Sequence, residues 1–301
     1  MGARGAARPA RRAWDCATPD RWSEVPSDRI DEIAGRARQA DGLLAAGGGS
    51  AIDLGKGISS VTGLPLVSVP TTYSGAEWTQ FFGVRDPQRH MVGGGGGAHL
   101  AGIVYEPKLT LELPRAESGG TALNALAHCA EALYVAGKSP AGDEQALAGA
   151  SLIGEALPPV LERGDDLEVR TTLLRGAMHA GAALAAAGLG LGHAMAQAVG
   201  GRYGIPHGAA NALCLPPALR FNEPVAAAEI GRFADALGTT DAAARCEELS
   251  RLAGYERLRD LGVLENELDE VAVATAVRPG ALANPRPASA AEIAELFRSI
   301  W

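Results

Sequence analysis

Residues 41–60, DGLLAAGGGSAIDLGKGISS, decide how the first half of this chain reads. The opening GLLAA is a short apolar run of buried-strand length. Gly47, Gly48, Gly49 and Ser50 follow as a turn. Glycine suits such a turn because it permits positive φ and close backbone approach. AIDLGKGI then places Ile52, Gly55 and Ile58 at helical spacing. Strand, glycine turn and helix start together point backbone N–H groups at an anion, and the helix dipole adds to the attraction. Two readings stay open: a phosphate cradle for a nucleotide, or a tight strand-to-helix turn with no ligand. The run is not GxGxxG, because the third glycine is out of register. It is not a P-loop either, because no Gly-Lys-Ser/Thr follows.

On the N-terminal side, VPSDRIDEIAGRARQ predicts a helix with Ser27 as N-cap and Ile30, Ile33 and Ala37 on one face. On the C-terminal side, residues 64–69 form a second buried-type run that ends in the hydroxyl-rich PTTYSG, and a third run lies around Ile103 and Val104. Short apolar runs alternating with helices predict a parallel α/β sheet. Residues 93–97 are all glycine and read as a mobile loop, with a second anion-binding turn as the alternative. Beyond about residue 120 the chain turns Ala/Leu-rich, over 121–136, 143–162, 167–187, 189–200, 208–221, 225–237, 241–253 and 289–300. This predicts an all-helical half, with Ser289 and Glu292 as a capping box for the last helix. The expected organisation is an atypical Arg/Ala-rich segment at 1–24, an α/β dinucleotide-binding domain at 25–117 and a helical catalytic domain at 118–301.

Bulk properties exclude several classes. The chain has 301 residues, 47% of them hydrophobic, so a full core is available. The formal net charge of −8 argues against nucleic acid or an anionic membrane as a partner. Cys16, Cys129, Cys214 and Cys246 form no CxxC, which argues against a zinc ribbon or a disulfide framework and fits a reducing cytoplasm. No apolar run reaches membrane-spanning length, and the arginines of MGARGAARPARR precede no apolar signal core.

Three of the six histidines have an informative setting. His128 lies in LNALAHCAEALY, with Asn124 and Glu131 on the same helix side at i−4 and i+3. His193 lies in GLGLGHAMAQAVGG, among small residues where something must come close. His207 lies in YGIPHGAANALCLPP, at a turn just before a helix. Each alone reads as an ordinary structural histidine. Together, three imidazoles in a helical domain are able to hold a divalent metal with an open position.

These stretches resemble the iron-containing alcohol dehydrogenase family, and within it the maleylacetate reductase branch. The resemblance covers residues 25–301 and rests on GGGSAIDLGKGIS, LPLVSVPTTYSGAEWT, YEPKLTLELP, LNALAHCAEALY, GLGLGHAMAQAVGGRYGIPHGAANALCLPPALRFN and the late NPRP. It implies an α/β dinucleotide-binding domain followed by an all-α domain, the dehydroquinate synthase-like fold, with the active site in the cleft between them. It implies NADH or NADPH as cofactor, bound by Gly47, Gly48, Gly49, Ser50 and Asp53 together with Thr71, Thr72 and Ser74. The family's metal site is an aspartate and three histidines, which falls here on Asn124, His128, His193 and His207. Asn124 replaces the anionic ligand, and an amide oxygen is a weak donor for a hard divalent ion. Either a three-histidine iron or zinc site remains, or the site works without metal. Gln197 stands where relatives often carry another histidine.

Family members also begin with a strand and helix that build the adenine side of the cleft. Residues 1–24 do not match it, and a misplaced start codon, a frameshift or a truncated gene is the expected cause. The favoured activity is reduction of maleylacetate to 3-oxoadipate in aromatic-compound degradation. Its rivals are a metal-dependent alcohol or aldehyde dehydrogenase, and a catalytically impaired nucleotide-binding remnant. A small dicarboxylate or carbonyl substrate, a cytoplasmic location and a homodimer complete the expectation.

Overall fold

The computed structural model describes residues 30–86 and 90–301. The expected Ser27 cap and the Arg/Ala-rich residues 1–24 lie outside the described residues. Helix α1 (Ile30–Ala37) leads into β1 (Leu43–Gly47), α2 (Gly49–Thr62) and β2 (Leu66–Pro70). The predicted apolar face of α1 is the one that packs: Ile30, Ile33 and Ala34 meet Leu54 and Ile58 of α2.

Next come β3 (Phe82–Arg85), β4 (Met91–Gly95) and β5 (Leu100–Ile103). Strands β1, β2 and β5 form a parallel sheet in that order, with Leu43 opposite Leu66 and Gly47 opposite Pro70. Parallel pairing needs a crossover, and α2 supplies the first one. The glycine run is only partly a loop, since Gly96 and Gly97 follow β4 outside any strand. Gly93, Gly94 and Gly95 belong to β4, which pairs antiparallel with β3. The Phe82 ring fills the space that a side chain at Gly95 would need, 2.6 Å from its would-be Cβ.

From Arg115 the chain is helical: α3 (Arg115–Ala132), α4 (Pro140–Glu162), α5 (Leu167–Ala187), α6 (Leu191–Tyr203), α7 (His207–Ala236), α8 (Ala242–Ala253), α9 (Leu268–Ala276), α10 (Pro279–Leu282) and α11 (Ala290–Ser299). The stretches 208–221 and 225–237, read from sequence as two helices, are two helical segments of α7 that meet at a kink, where Ala226 has non-helical backbone (φ −135°, ψ 30°). Pro224 lies just before the bend, where its missing N–H breaks the ladder. Helix α11 carries the predicted reciprocal Ser289–Glu292 capping box.

Helix α3 is buried continuously from Ser118 to Ala132 except at Thr121. A helix buried all round is a core helix, so the polar groups it carries must find protein partners. Arg170 on α5 is another buried polar group, 2% exposed. It donates to the carbonyls of Gly164 and Leu113 and to the hydroxyls of Tyr73 and Ser118. Among the described residues no single helix is long and apolar enough to cross a membrane.

Candidate active site

Strand β1 ends at Gly47, whose φ of 149° is one that glycine adopts readily. Gly48 caps α2 with extended backbone (φ −75°, ψ −177°) and no side-chain capping bond. Space, not conformation, fixes the next two glycines. A Cβ on Gly48 would lie 3.0 Å from Thr72 Cγ2, and one on Gly49 would lie 3.1 Å from Ser74 Oγ. The loop of residues 71–75 therefore lies across the first turn of α2, anchored where Thr71 N–H donates to the Gly47 carbonyl at 2.9 Å. Exposed Ser50 sits in that first turn. Bare glycine backbone at a helix start is a cradle for an anion, and a Cβ would fill it.

Asp53, one turn further on, is occupied elsewhere. Its carboxylate pairs with Lys56 at 2.7 Å and accepts from Gly83 N–H at 3.1 Å. Lys56 is 1% exposed and also donates to the carbonyls of Ala76 and Phe81. The pair ties α2 to the segment that follows the loop.

The far side of the loop is fixed to the helical half. Tyr73 is fully buried, its N–H donates to Thr121 Oγ1 at 3.3 Å, and its hydroxyl accepts from Arg170 at 3.1 Å. The Ser74 carbonyl accepts from Asn124 Nδ2 at 2.9 Å. Gly75, with φ 74°, lies against the His128 ring and the Gly181 backbone.

Beyond the loop, Glu77 is buried. It accepts from the Tyr105 hydroxyl at 2.8 Å, which itself accepts from Trp78 Nε1 at 2.7 Å. Glu77 Oε2 has no partner. Burial pushes this carboxyl above its ordinary 4.5, with a backbone hydrogen bond, Tyr105 and Lys56 offsetting part of the effect. The folded protein thus keeps the proton to a higher pH than the unfolded chain. The stability this group contributes is full below about 4.5 and is lost as pH rises through the folded value. Glu77→Gln, fixed in the neutral form, is expected to gain in Tm over the natural protein as pH rises from about 4.5 to about 8, and not below that range. Thermal melts across that pH series check it, and a constant difference would refute it.

The three singled-out histidines converge beneath this loop. His128 and His193 stack with ring centroids 4.6 Å apart, and His207 lies 5.7 Å from His193. His193 is held by Glu131, which is fully buried on α3. Glu131 accepts from His193 Nδ1 at 2.7 Å, from His193 N–H at 3.0 Å and from Gly190 N–H at 2.7 Å. The small residues around His193 make room for this carboxylate: a Cβ on Gly190 or Gly192 would lie 3.0 Å from it.

On its other side, His193 Nε2 faces Asn124 Oδ1 at 3.2 Å. Asn124 Nδ2 is committed to the Ser74 carbonyl, so Oδ1 is an acceptor. His193 thus stands between the Glu131 carboxyl at Nδ1 and the Asn124 amide oxygen at Nε2. Its neighbours are neutral: burial, then the charge of His193, pushes His128 well below its ordinary 6.5 and His207 down to about 3. Asn211 on α7 completes the cluster. Its Nδ2 donates to Asn124 Oδ1 at 2.8 Å and lies 3.0 Å from His207 Nε2.

The remaining histidines lie apart from this cluster. His90 pairs with Asp86 at the surface, His179 contacts Gln145, and His99 is exposed. Half-buried Gln197 makes no hydrogen bond to the cluster among the described residues.

The donor set does not fit a metal ion. An imidazole lone pair lies in its ring plane, and the stacked rings of His128 and His193 are tilted only 11° apart. Nearly parallel planes do not aim two lone pairs at one shared ion. His193 spends one nitrogen on Glu131 and the other on Asn124, while His207 Nε2 faces Asn211. Among the described residues no group of three or more His, Cys, Asp or Glu is arranged to hold a metal.

Residues 15–98 match the family model for iron-containing alcohol dehydrogenase, and residues 119–301 match the C-terminal model of the Fe-containing alcohol dehydrogenase family. The chain belongs to the iron-containing alcohol dehydrogenase family. It is an oxidoreductase by that membership. A maleylacetate reductase of Burkholderia cepacia is 37% identical to this family member over 249 residues, spanning 82% of this chain and 70% of the relative. One from Delftia acidovorans is 32% identical, over 92% of this chain and 79% of its own. The crystal structure of maleylacetate reductase from Agrobacterium tumefaciens superposes with a TM-score of 0.84 at 31% identity, covering 93% of this chain and 80% of that one.

In this alcohol dehydrogenase-family chain, Asn124, His128, His193 and His207 come together, and Gly47, Gly48, Gly49, Thr71, Thr72 and Ser74 gather at the start of α2. Asp53, in the same helix, pairs with Lys56 and accepts from Gly83 N–H. Sequence reasoning placed Glu131 near His128 but did not foresee its grip on His193, although the small residues before His193 signalled a close guest. Asn211, four residues after His207, carried no comparable signal.

Proposed function

We propose that this protein reduces a small, carboxylate-bearing unsaturated ketone of the maleylacetate type, yielding 3-oxoadipate, at the expense of NADH or NADPH. The observation that carries this reading is His193, held between Glu131 and Asn124 with an imidazole on either side, beside a loop seated on a bare helix start. Its likeness to maleylacetate reductases supports the substrate class. The first-turn N–H groups of α2 hold the cofactor's phosphates, and Thr72 and Ser74 flank them. A bound reduced nicotinamide supplies the hydride.

When an enone takes up hydride at its alkene, negative charge develops on the ketone oxygen. His193 meets that charge with a proton kept on Nε2, the nitrogen away from Glu131. Burial of the cluster excludes water and strengthens this interaction. The neutral Asn124 amide, where a carboxylate would repel, suits a dicarboxylate substrate. Because the imidazoles do not converge on an ion, no metal step enters this reading. The active form is proposed to be a homodimer.

NADH and NADPH oxidation with maleylacetate, with and without a chelator, tests the reading. Turnover that survives chelation is expected. Turnover of simple aldehydes in place of maleylacetate would overturn the substrate class, and nicotinamide binding without turnover of either would leave only the impaired remnant. Gly48→Val separates the cofactor half of the claim. The new branches would press into Thr72, so NADH binding is expected to be lost while the melt stays cooperative. Unchanged NADH affinity by fluorescence titration would remove the glycine turn from the site.

A further inference from the structure

We propose that Asn124 is the positioning residue that ties the cofactor-lining loop to the imidazole cluster, through one amide that donates on one side and accepts on the other. Its Nδ2 donates to the Ser74 carbonyl at 2.9 Å. Its Oδ1 accepts from Asn211 Nδ2 at 2.8 Å and faces His193 Nε2 at 3.2 Å. The side chain is 2% exposed, so water does not substitute for these partners. Only an amide serves both sides. A carboxylate of the same shape has no donor and would set an anionic oxygen against the Ser74 carbonyl oxygen.

The Ser74 carbonyl matters because Ser74 Oγ lies 3.1 Å from the space of a Cβ on Gly49, at the start of α2. A shift of the loop at Ser74 is therefore a shift of the wall of the phosphate cradle. The neighbouring tie from the same helix, Thr121 Oγ1 accepting from Tyr73 N–H, holds the loop without touching any histidine. Asn124 thus acts on cofactor affinity and on imidazole placement together, which a residue that only replaces a missing metal ligand would not do.

The inference rests on the proposed nicotinamide site, and the experiment separates the two. NADH is titrated by fluorescence, without substrate and well below each melting temperature, into the natural protein, Asn124→Asp, Asn124→Leu and Thr121→Val. Asn124→Asp is expected to bind NADH about tenfold more weakly or worse. Asn124→Leu, which loses the donor without adding repulsion, should fall between it and the natural protein. Thr121→Val should weaken binding in the same direction. Lower melting temperatures with unchanged NADH affinity would make Asn124 a packing residue and overturn the proposal. So would a loss of kcat in Asn124→Asp with NADH affinity intact. If the natural protein itself binds no nicotinamide, the site reading falls, and the proposal falls with it.

Discussion

Glu131→Ala is expected to cost about 3–5 kcal/mol, because it strips the shared acceptor from three buried donors and leaves them unpaired. Those donors are Gly190 N–H, His193 N–H and His193 Nδ1, all of which close on this one carboxylate. For a chain of this size the loss corresponds to a fall in Tm of roughly 10 °C. Glu131→Gln isolates the chemical part. It keeps the shape and one acceptor but brings no charge, so the melt should move less while kcat falls about 100-fold or more. If Glu131→Gln keeps full kcat, the pairing of Glu131 with His193 has no part in turnover.

The second large effect is expected at Gly208, directly after His207. Helices α3 and α7 touch there backbone to backbone. A Cβ on Gly208 would lie 2.5 Å from Gly120 C and 2.8 Å from Thr121 N, and neither is a side chain that can swing away. Gly208→Ala must push the helices apart, at a cost of about 1–3 kcal/mol or more. It also moves His207 and Asn211 on α7 away from Asn124 on α3. Activity is expected to drop by more than tenfold, well beyond the stability loss. Gly231→Ala, on the exposed side of α7 with nothing within 4 Å, is the control. It should keep full activity and melt no lower, since alanine favours a helix by up to about 1 kcal/mol. Equal behaviour of the two variants in melts and assays would show that the contact at Gly208 does not set the site.

Much of this architecture was legible because its signals are local. The apolar runs at Leu43 and Leu66 became parallel strands, and the Ser289–Glu292 box became a cap. Signals that depend on a distant partner were not legible. Gly94 and Gly95 look like low complexity until the backbone and ring of Phe82 are seen to need the space. Helix α9 lies outside the helical stretches read from the sequence, and its Leu268, Val271 and Ala272 are buried against partners from elsewhere in the fold. Asp53 stands at a good distance for a cofactor contact in sequence, yet Lys56, three residues on, captures it. The histidines showed themselves by setting. Their hydrogen-bond roles depend on which acceptor faces which nitrogen, and spacing along a helix does not encode that.

The ties on the loop of residues 71–75 also set an order of assembly. Tyr73 donates its N–H to Thr121, 48 positions later, and its hydroxyl accepts from Arg170, 97 positions later. A ribosome delivers the glycine turn and its strand long before either partner exists. Loop closure over such separations is slow compared with forming the local helices. The first half therefore cannot shape its own ligand-facing wall, and the later helices act as the mould on which it sets. In refolding, recovery of nicotinamide fluorescence should trail recovery of helical circular dichroism, which makes ligand capture a report that α3 and α5 are in place.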